Sequence, residues 1–337
     1  MLTRYRWGMA ALAAAVLVFA GCGATADRAE PGAEGGEATQ QQAITGLRFM
    51  VPNTPGSGYD TTAREAAKVM DQIGVTKGIE VFNLAGAGGT TGLSRTVQEK
   101  GNGKLIMMMG LGVVGAQYTN KSTSTLDQTT PIAKLIEEAG AIVVAKNSKY
   151  NTITDLVNDW KANPKGMAVG GGSSPGGPDH LLPMQLAQTV GIEPKQVNYI
   201  AYDGGGELLP AVLGGKVAFG ASGYGEFLDQ IEAGQVRVLA LSGPDRVEAV
   251  DAPTLKESGI ELEFTNWRGV VAPPELSDAD NQALVGAFTT MHDSQEWKDV
   301  LKEKGWTDAF VTGDEFGSYM KEQTTRVEDV LGSLGLA

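Results

Sequence analysis

The segment "VPNTPGSGYDTTAR", residues 51–64, lies where a strand-like run passes into a run with helical periodicity. Its prolines, Pro52 and Pro55, restrict the backbone, whereas Gly56 and Gly58 permit a positive φ and the close approach of another molecule. A connection of this composition between a strand and a helix is either a plain turn or a cradle for a ligand.

The polar residues that follow this turn predict the start of a helix. Asp60, Thr61 and Thr62 are of the types found at helix N-caps, and Thr62 with Glu65 fits a capping box. Because the free amides at a helix N-terminus attract anions, the turn is a candidate anion site.

The strand–turn–helix pattern repeats along the chain from about Gly46. Amphipathic segments separate most of the strand-like runs, which are "LRFMV", "IEVFN", "LIMMM", "AIVVA", "MAVGG", "VNYIAY", "VAFGA" and "VRVLAL". This alternation predicts an α/β fold with largely parallel sheets. Four glycine-rich turns, "PGSG", "GAGGTTG", "GGGSSPGG" and "DGGG", each follow a strand, which is where open α/β sheets bind ligands.

Later helices are predicted by their start signals. One begins near Pro178, and others begin at Ser277, at about Gln295 and at Thr312, where "TGDE" fits another capping box.

Length and composition narrow the classes of function. The 337 residues are enough for two hydrophobic cores, and the formal net charge of −13 argues against nucleic acid as a partner. The only cysteine is Cys22, and the only histidines are His180 and His292. We therefore expect no intramolecular disulfide, no metal site and no cofactor.

The N-terminus predicts export. Arg4 and Arg6 precede an apolar run at about residues 9–20 that is too short to span a bilayer. The ending "FAGC" resembles a bacterial lipobox, which implies a lipoprotein signal peptide over residues 1–22. The protein would then be extracytoplasmic and lipid-anchored to the cell membrane through Cys22. The alternative is a cleaved secretory signal with an incidental cysteine.

The next segment, residues 23–43, contains no aromatic or large aliphatic residue. Such a composition predicts a disordered tether.

A dinucleotide site is the main competing motif. "GLGVVG", residues 110–115, fits G-x-G-x-x-G after a strand, but that site also needs a sustained helix and an acidic residue about 20 positions later. The run instead breaks at "TNKSTSTLDQTTP", so the motif alone is weak support.

Asp179 and His180 stand together in the first turn of a predicted helix. Adjacent helical residues point apart, and no base is placed beside Ser173 or Ser174 by sequence alone, which argues against a catalytic pair. The helix dipole disfavours a cation there, so we expect a neutral His180 that donates one hydrogen bond to a ligand. A capping or packing histidine is the alternative.

The strand-like run "NWRGVV" holds Trp267 and Arg268. Trp267 is most simply a core residue. Arg268 must reach solvent, pair with a carboxylate of the protein, or bind an anionic ligand with its bidentate guanidinium.

Five segments, in this order, resemble the solute-binding proteins of tripartite tricarboxylate transporters, the Bug-type family: "VPNTPGSGYDTTAR", "NLAGAGGTTG", "GGGSSPGGPDHL", "YDGGGELLPAVLGGKV" and "NWRGVVAP". The resemblance covers nearly everything from about Gly46 onward. It implies a two-lobed, type II-like periplasmic-binding-protein fold, in which two mixed-sheet α/β domains are joined by crossing strands and enclose a ligand cleft. The implied lobes are residues 44–145 with 269–337, and residues 146–268.

The resemblance also implies how the ligand is held. Family members bind a carboxylate against the first and second ligand loops through backbone amides, small hydroxyl side chains and ordered water. Carried over to this chain, the ligand-binding residues are Pro55, Gly56, Ser57, Gly58, Tyr59, Asp60, Ala87, Gly88, Gly172, Ser173, Ser174, His180, Tyr202, Asp203, Gly204, Gly205, Trp267 and Arg268.

The implied function is capture of a small carboxylate and its delivery to the large and small membrane subunits of a transporter, without catalysis. Where many relatives have Tyr-Lys-Gly-Gly, this chain has Asp203 after Tyr202, so an acidic group faces solvent or meets a donor on the ligand. Arg268 favours a second or third carboxylate and hence a citrate-like ligand. Two alternatives remain, a lipoprotein that presents the ligand to a sensor and an exported hydrolase.

Overall fold

The computed structural model describes residues 43–202 and 204–337. The predicted signal peptide, the lipidation site at Cys22, all but the last residue of the predicted tether, and Asp203 lie outside the described residues.

Strands and helices alternate through the described part of the chain, as the α/β pattern predicts. The strands are β1 (Ile44–Thr45), β2 (Arg48–Val51), β3 (Thr76–Lys77), β4 (Glu80–Asn83), β5 (Leu105–Gly110), β6 (Thr130–Ala145), β7 (Ala168–Gly171), β8 (Asn198–Ala201), β9 (Phe219–Gly223), β10 (Val236–Leu241), β11 (Thr265–Ala272) and β12 (Thr307–Thr312). The α-helices are α1 (Gly58–Gln72), α2 (Thr90–Gln98), α3 (Leu111–Thr119), α4 (Ile153–Ala162), α5 (Pro178–Thr189), α6 (Gly205–Leu213), α7 (Leu228–Glu232), α8 (Asp278–Asp293), α9 (Gln295–Lys304) and α10 (Gly313–Leu334).

Ten of these strands form one curled sheet around β6. Its order is β4-β2-β5-β11-β6-β9-β7-β8, and β10 and β12 also pair with β6. The part of β6 up to Ala139 pairs with β11 and β12, whereas the part from Gly140 pairs with β9 and β10. The sheet therefore has a first half (β2, β4, β5, β11 and β12) and a second half (β7 to β10), and β6 runs through both.

The sheet is mixed rather than largely parallel. β2 pairs in parallel with β4 and β5, and β7 pairs in parallel with β8 and β9, but β6 is antiparallel to each of its partners. The expectation of largely parallel sheets, drawn from the strand–helix alternation, is wrong because the long strands β6 and β11 run back between the two halves. The mixed sheet implied by the family resemblance is confirmed, and the lobe boundaries at residues 145 and 268 stay a prediction.

α1 begins earlier than its cap signals predict. Its N-cap is Ser57, whose Oγ accepts a hydrogen bond from the Asp60 N–H (3.3 Å). Thr62 lies inside the helix and donates to the Gly58 carbonyl (2.8 Å), so the predicted capping box at Thr62 is wrong. The capping box predicted at Thr312 is also absent, because that N-cap side chain makes no capping bond. The predicted starts of α5, α8, α9 and α10 are confirmed.

The hydrophobic core is continuous between the two halves of the sheet. One large cluster includes Met109 from β5, Ile142 from β6 and Phe219 from β9. A second cluster packs α1, α8 and α9 on the first half, where Phe49 and Phe288 meet edge to face at 6.4 Å. Among the described residues, none of the helices combines the length and the hydrophobicity that a membrane crossing requires.

Candidate functional site

The first glycine-rich turn connects β2 to α1. Gly56 has φ 81°, in the left-handed region that favours glycine. Gly58 instead begins α1 without a positive φ. Gly58 is small for a different reason. A Cβ at this position would lie 2.5 Å from Nη2 of Arg268, so the absence of a side chain lets the guanidinium approach the helix.

The start of α1 presents free backbone amides. The N–H of Thr61 makes the first helical hydrogen bond, to the Ser57 carbonyl (2.9 Å). The N–H groups of Gly58 and Tyr59 precede that bond and have no acceptor inside the helix. Together with the helix dipole, such amides can hold an anion.

Asp60, a predicted ligand contact, is turned toward the protein. Its carboxylate accepts hydrogen bonds from the Gly56 N–H, Arg64 Nε and Asn83 Nδ2, each at 2.9 Å. Burial alone would raise the pKa of Asp60, but the bonds from Arg64, Gly56 and Asn83 lower it below its ordinary value. Asp60 therefore ties the first turn to the end of β4, and its contact with a ligand stays a prediction.

The second glycine-rich turn follows β4. Residues 86–89 all have positive φ, with Ala87 at 47° and Gly88 at 63°. A positive φ is unfavourable for alanine, and such strained residues concentrate at functional sites. The Ala87 carbonyl accepts hydrogen bonds from the Thr90 hydroxyl (3.0 Å) and from Asn120 Nδ2 (2.9 Å), which hold the turn in this conformation.

The turn between β7 and α5 is fixed from both sides. Ser173 accepts two hydrogen bonds, at its Oγ from the Asp179 N–H (3.0 Å) and at its carbonyl from the Tyr199 hydroxyl (2.6 Å). The N–H of Gly176 donates to Nδ1 of His180 (3.2 Å). These bonds set the path of the loop that the family resemblance assigns to the ligand.

His180 is neutral, as the sequence predicts. The ring is buried and packs edge to face on Tyr199, with centroids 4.8 Å apart. Burial lowers the pKa of His180 to about 4. Because Nδ1 accepts a hydrogen bond, the proton of the neutral ring is on Nε2. A hydrogen bond from His180 to a ligand stays a prediction.

The same loop spells G-S-S-P-G at residues 172–176, which fits the G-x-S-x-G pattern around the nucleophile of many hydrolases. That chemistry needs a base beside the central serine, Ser174. The Nδ1 of His180 is occupied by the Gly176 N–H, and within the described residues no hydrogen bond joins His180 to Ser173 or Ser174. Among the described residues, His180 is therefore not placed as the base for Ser174.

The third glycine-rich turn leads into α6. Gly204 has φ 87°, and its N–H donates to the Gly172 carbonyl (2.9 Å), which links the third turn to the one before α5. The N–H of Gly205 donates to Oε2 of Glu226 (2.5 Å). A carboxylate of the protein therefore occupies the helix N-terminus that the resemblance assigns to a ligand loop.

Three acidic groups lie near one another behind these turns: Glu138, Asp179 and Glu226. Burial raises the pKa of Asp179 well above its ordinary value, the charges of Glu226 and Glu138 raise it further, and Arg268 lowers it. Burial and then the charge of Glu138 raise the pKa of Glu226. Much of the Glu226 residue is accessible to solvent, although its carboxylate lies among protein groups.

Arg268, on β11, forms a buried ion pair with Glu138 on β6. Nη2 lies 2.7 Å from Oε2, and the two side chains are 4% and 3% exposed. Nη1 donates to the Thr62 hydroxyl (3.2 Å), and Glu138 also accepts from the Gly225 N–H (3.1 Å). Of the three environments considered for this arginine, the structure shows pairing with an internal carboxylate. A bidentate contact with a ligand stays a prediction.

Two predicted aromatic contacts lie in different settings. Trp267 is fully buried and packs edge to face on Phe316 (5.9 Å) and Tyr319 (5.3 Å), the position of a core residue. Tyr59 has a buried hydroxyl with no hydrogen-bond partner among the described residues, and burial raises its pKa to about 12. That hydroxyl lies 3.0 Å from where a Cβ of Gly112 would stand, at the start of α3.

One enclosed pocket lies beside Trp267, whose ring packs on its lining residue Tyr319. It has a volume of about 160 Å³ and lies between α3, α5 and α10. Two pairs of its polar groups are hydrogen-bonded to each other, since Arg326 donates to Gln185 (3.3 Å) and the Tyr319 hydroxyl donates to Glu137 (3.3 Å). None of the predicted ligand residues that the structure describes lines it.

The two halves of the sheet contact each other at the predicted loops. The carbonyl of Gly176 lies where a Cβ of Gly115 on α3 would be. The Tyr59 hydroxyl, from the first turn of α1, lies 3.0 Å from the Cβ position of Gly112 on the same helix. The start of α1 and the loop before α5 therefore both contact α3. Sequence reasoning missed Glu138 and Glu226. A signal existed for Glu138, because a charge inside the apolar run "KLIEEAGAIVVA" needs a partner once buried.

Solved structures share this fold. Rpa4515 of R. palustris, solved with adipate, has a TM-score of 0.76 and 20% identity, and the match covers 86% of this chain and 97% of that one. MatC of Rhodopseudomonas palustris, solved with bound malate, has a TM-score of 0.73 and 21% identity over 86% and 99% of the chains. A ligand-free TctC solute-binding protein from Polaromonas has a TM-score of 0.67 and 23% identity over 86% and 98%. These similarities show the two-lobed fold of periplasmic solute-binding proteins.

Sequence comparisons agree with the structural ones. The UPF0065 protein in the gbd 5′ region of Cupriavidus necator is 26% identical over 297 residues, which are 86% of this chain and 88% of that protein. BugT of Bordetella pertussis is 25% identical over 299 residues, 86% and 89% of the two chains. The family model of the tripartite tricarboxylate transporter family receptor matches residues 62–336, which is most of the chain. The chain therefore belongs to the tripartite tricarboxylate transporter receptor family.

Proposed function

We propose that this chain is the extracytoplasmic solute-binding component of a tripartite tricarboxylate transporter. It captures a small carboxylate between the two halves of the sheet and delivers it to the large and small membrane subunits. Family membership supports this role, and the fold is that of solute-binding proteins rather than of enzymes.

One observation carries the proposal. The amide-rich start of α1 and the turn before α5 belong to different halves of the sheet, and both contact α3. The Tyr59 hydroxyl lies 3.0 Å from the Cβ position of Gly112, and the carbonyl of Gly176 lies where a Cβ of Gly115 would be. Ligands of open α/β folds bind at such turns, beyond the carboxyl ends of parallel strands. Free helix-start amides in this position suit a carboxylate.

The family resemblance suggests a citrate-like tri- or dicarboxylate, and the neighbours solved with malate and adipate hold smaller carboxylates of the same kind. The sequence argument for a second or third carboxylate rested on Arg268. In the structure, Glu138 and Thr62 bind Nη2 and Nη1 of this guanidinium, so its charge is already paired within the protein. We retain citrate as one candidate among small carboxylates.

We also propose that acylated Cys22 anchors the protein to the membrane surface. The support is the signal-like N-terminal sequence and its lipobox-like end. Cys22→Ser should release the protein into the soluble extracytoplasmic fraction. Retention of the variant in the membrane fraction would contradict a lipid anchor at this residue.

A thermal-shift screen of purified protein tests ligand capture. Mono-, di- and tricarboxylates are compared with their neutral amides, which keep the shape and lose the charge. Ligand at 100 times its dissociation constant stabilises the native state by about 2.7 kcal/mol, enough to raise the melting temperature measurably. We expect at least one carboxylate to raise it while its amide does not. A screen in which no carboxylate shifts the transition would contradict the proposal.

A further inference from the structure

We infer that the second half of the sheet carries a subsite for a positively charged nitrogen, so that the preferred ligand is a carboxylate that also bears an ammonium group. This inference rests on the proposed function, because it names the ligand class of the same site. The subsite consists of Asp179, Ser222 and Glu226, which we call the acidic edge.

The acidic edge lies at the carboxyl ends of the three strands β7, β8 and β9. Asp179 stands in the first turn of α5, Ser222 near the end of β9, and Glu226 just after it. A Cβ on Gly172 would lie 3.0 Å from Oδ2 of Asp179 and also 3.0 Å from the carbonyl carbon of Gly204. The next amide, that of Gly205, binds Glu226. The loops thus bring the two carboxylates close together.

The charges around the acidic edge are unbalanced. Arg268 is the cation that lowers the pKa of both carboxylates. Its guanidinium, however, is bonded to Glu138, whose own charge raises both pKa values. Were all three carboxylates ionised, they would share one guanidinium, and their mutual repulsion contributes to the raised pKa values of Asp179 and Glu226. A ligand with a positive group would favour their ionised forms, whereas a further carboxylate would add like charge.

Two unpaired hydroxyls supply an independent sign of a ligand. Ser222 is 1% exposed, and its hydroxyl lies beside Asp179 and Glu226 and lowers the pKa of each. Its geometry nevertheless satisfies no hydrogen bond within the described residues. The buried Tyr59 hydroxyl, from the first half, also satisfies no hydrogen bond there, but the backbone amides of Val113 and Gly112 lie close enough to lower its pKa, as Arg268 does, whereas Asp179 raises it. Buried polar atoms are normally paired, so the Ser222 oxygen in particular is available to a group outside the described chain.

An ammonium group fits this set of atoms. It offers three N–H donors and no acceptor, and the carboxylates and hydroxyls of the site offer acceptor oxygens. A ligand carboxylate could accept from the hydroxyls but would face Asp179 and Glu226, and its entry would require one of them to take up a proton. The two ligand classes therefore predict opposite proton exchange. An ammonium ligand favours ionised carboxylates and releases protons, whereas a second carboxylate causes proton uptake.

The test compares four acids with nearly the same carbon skeleton by calorimetry: propionate, succinate, β-alanine and aspartate. We expect β-alanine to bind at least ten-fold more tightly than propionate and succinate, and aspartate to bind more tightly than succinate. Titrations in two buffers of different ionisation enthalpy should show proton release for the amino acids. Asp179→Asn and Glu226→Gln should each weaken β-alanine binding at least ten-fold and remove its advantage over propionate.

Asp229→Asn is the matched control, since it removes an exposed carboxylate on α7 from the same half. It should leave all four affinities within two-fold of wild type. Ser222→Ala provides a second probe that changes no charge, and it should lower the β-alanine affinity without affecting propionate. Circular dichroism and melting curves identify any variant that fails to fold, in which case the remaining variants decide.

Several results would overturn the inference. Succinate or citrate could bind as tightly as the amino acids with proton uptake, or the amino acids could keep their advantage in both Asp179→Asn and Glu226→Gln. A stabilisation by CaCl₂ or MgCl₂ alone that both variants abolish would show a metal subsite instead. In each of these cases carboxylate capture still stands. Failure of all four acids and citrate to raise the melting temperature would instead contradict the proposed function itself.

Discussion

Replacing Arg268 with methionine tests whether the buried ion pair is part of the folded framework. Methionine keeps most of the side-chain length and loses the charge. Glu138 would then remain in the protein interior, 3% exposed, with the Gly225 N–H as its remaining hydrogen-bond donor within the part of the chain that the structure describes. Removing one partner of a buried pair costs about 3–5 kcal/mol, because an uncompensated charge is left behind. We expect the free energy of unfolding of Arg268→Met to fall by about that amount.

The double variant Arg268→Met/Glu138→Gln provides the sharper comparison. Its glutamine carries no charge and can still accept the hydrogen bond from Gly225. Replacing both members of a buried pair is often nearly neutral, so we expect the double variant to recover most of the lost stability. Urea denaturation of the four proteins in the cycle, without ligand at pH 7, measures the coupling between the two residues.

An exposed pair is the control. Lys149 and Asp159 are 71% and 47% exposed, and Lys149→Met should change the free energy of unfolding by less than about 1 kcal/mol. The reasoning is refuted if Arg268→Met is as stable as wild type, or if the double variant is no more stable than the single one. Unchanged stability with a selective loss of dicarboxylate over monocarboxylate affinity would instead show that Arg268 serves the ligand.

Three further substitutions probe the two loops. Gly58→Val places a Cβ 2.5 Å from Nη2 of Arg268, so it should lower the free energy of unfolding by about 1–3 kcal/mol. It should also remove the carboxylate-dependent rise in melting temperature. A variant that melts like wild type and keeps this rise would contradict the prediction. The pKa of His180 is about 4 in the folded state, compared with an ordinary value of 6.5. Between these two pH values the unfolded state binds one more proton than the folded state. The free energy of unfolding therefore falls as the pH falls, by up to about 3 kcal/mol. His180→Gln should lack this component in urea titrations, and an identical pH dependence in both proteins would count against it. Asp60 has a lowered pKa, so its contribution to the free energy of unfolding is present above the ordinary value of 3.8 and is lost as the pH falls below it. Asp60→Asn should lower the free energy of unfolding by about 1–2 kcal/mol at pH 7, a figure discounted because Arg64 is half-exposed. An unchanged urea midpoint would argue against the role assigned to this carboxylate.

Local features of the fold could be predicted from the sequence because they depend on neighbouring residues. Alternating apolar runs and amphipathic segments gave the α/β class. Pro178, Ser277 and Thr312 marked helix starts correctly, since caps and prolines act within one turn. The same reasoning failed at Thr62, where an earlier cap residue, Ser57, was available and begins the helix sooner.

Features that depend on distant residues could not be predicted. The run "AIVVA" predicted a short strand, whereas β6 spans Thr130–Ala145 and includes Glu137 and Glu138. A local pattern treats those charges as the end of a strand. In the fold, Arg268 from β11 neutralises Glu138 and lets the strand continue. Likewise, nothing near Gly205 indicates that its amide binds Glu226, 21 residues further along the chain.

The role of the glycines changes once these distant contacts are known. Glycine-rich turns in a ligand-binding fold suggest that the backbone carries no side chains there so that the ligand can approach it closely. Here the space beside Gly58 is taken by Arg268, and the space beside Gly223 and Gly225 is taken by the carboxylate of Glu138. These glycines let charged groups of the protein approach the backbone closely, as the structure already shows. Because the positions of those charges determine which ligand charge is tolerated, a side chain added at any of the three glycines should alter ligand preference as well as stability.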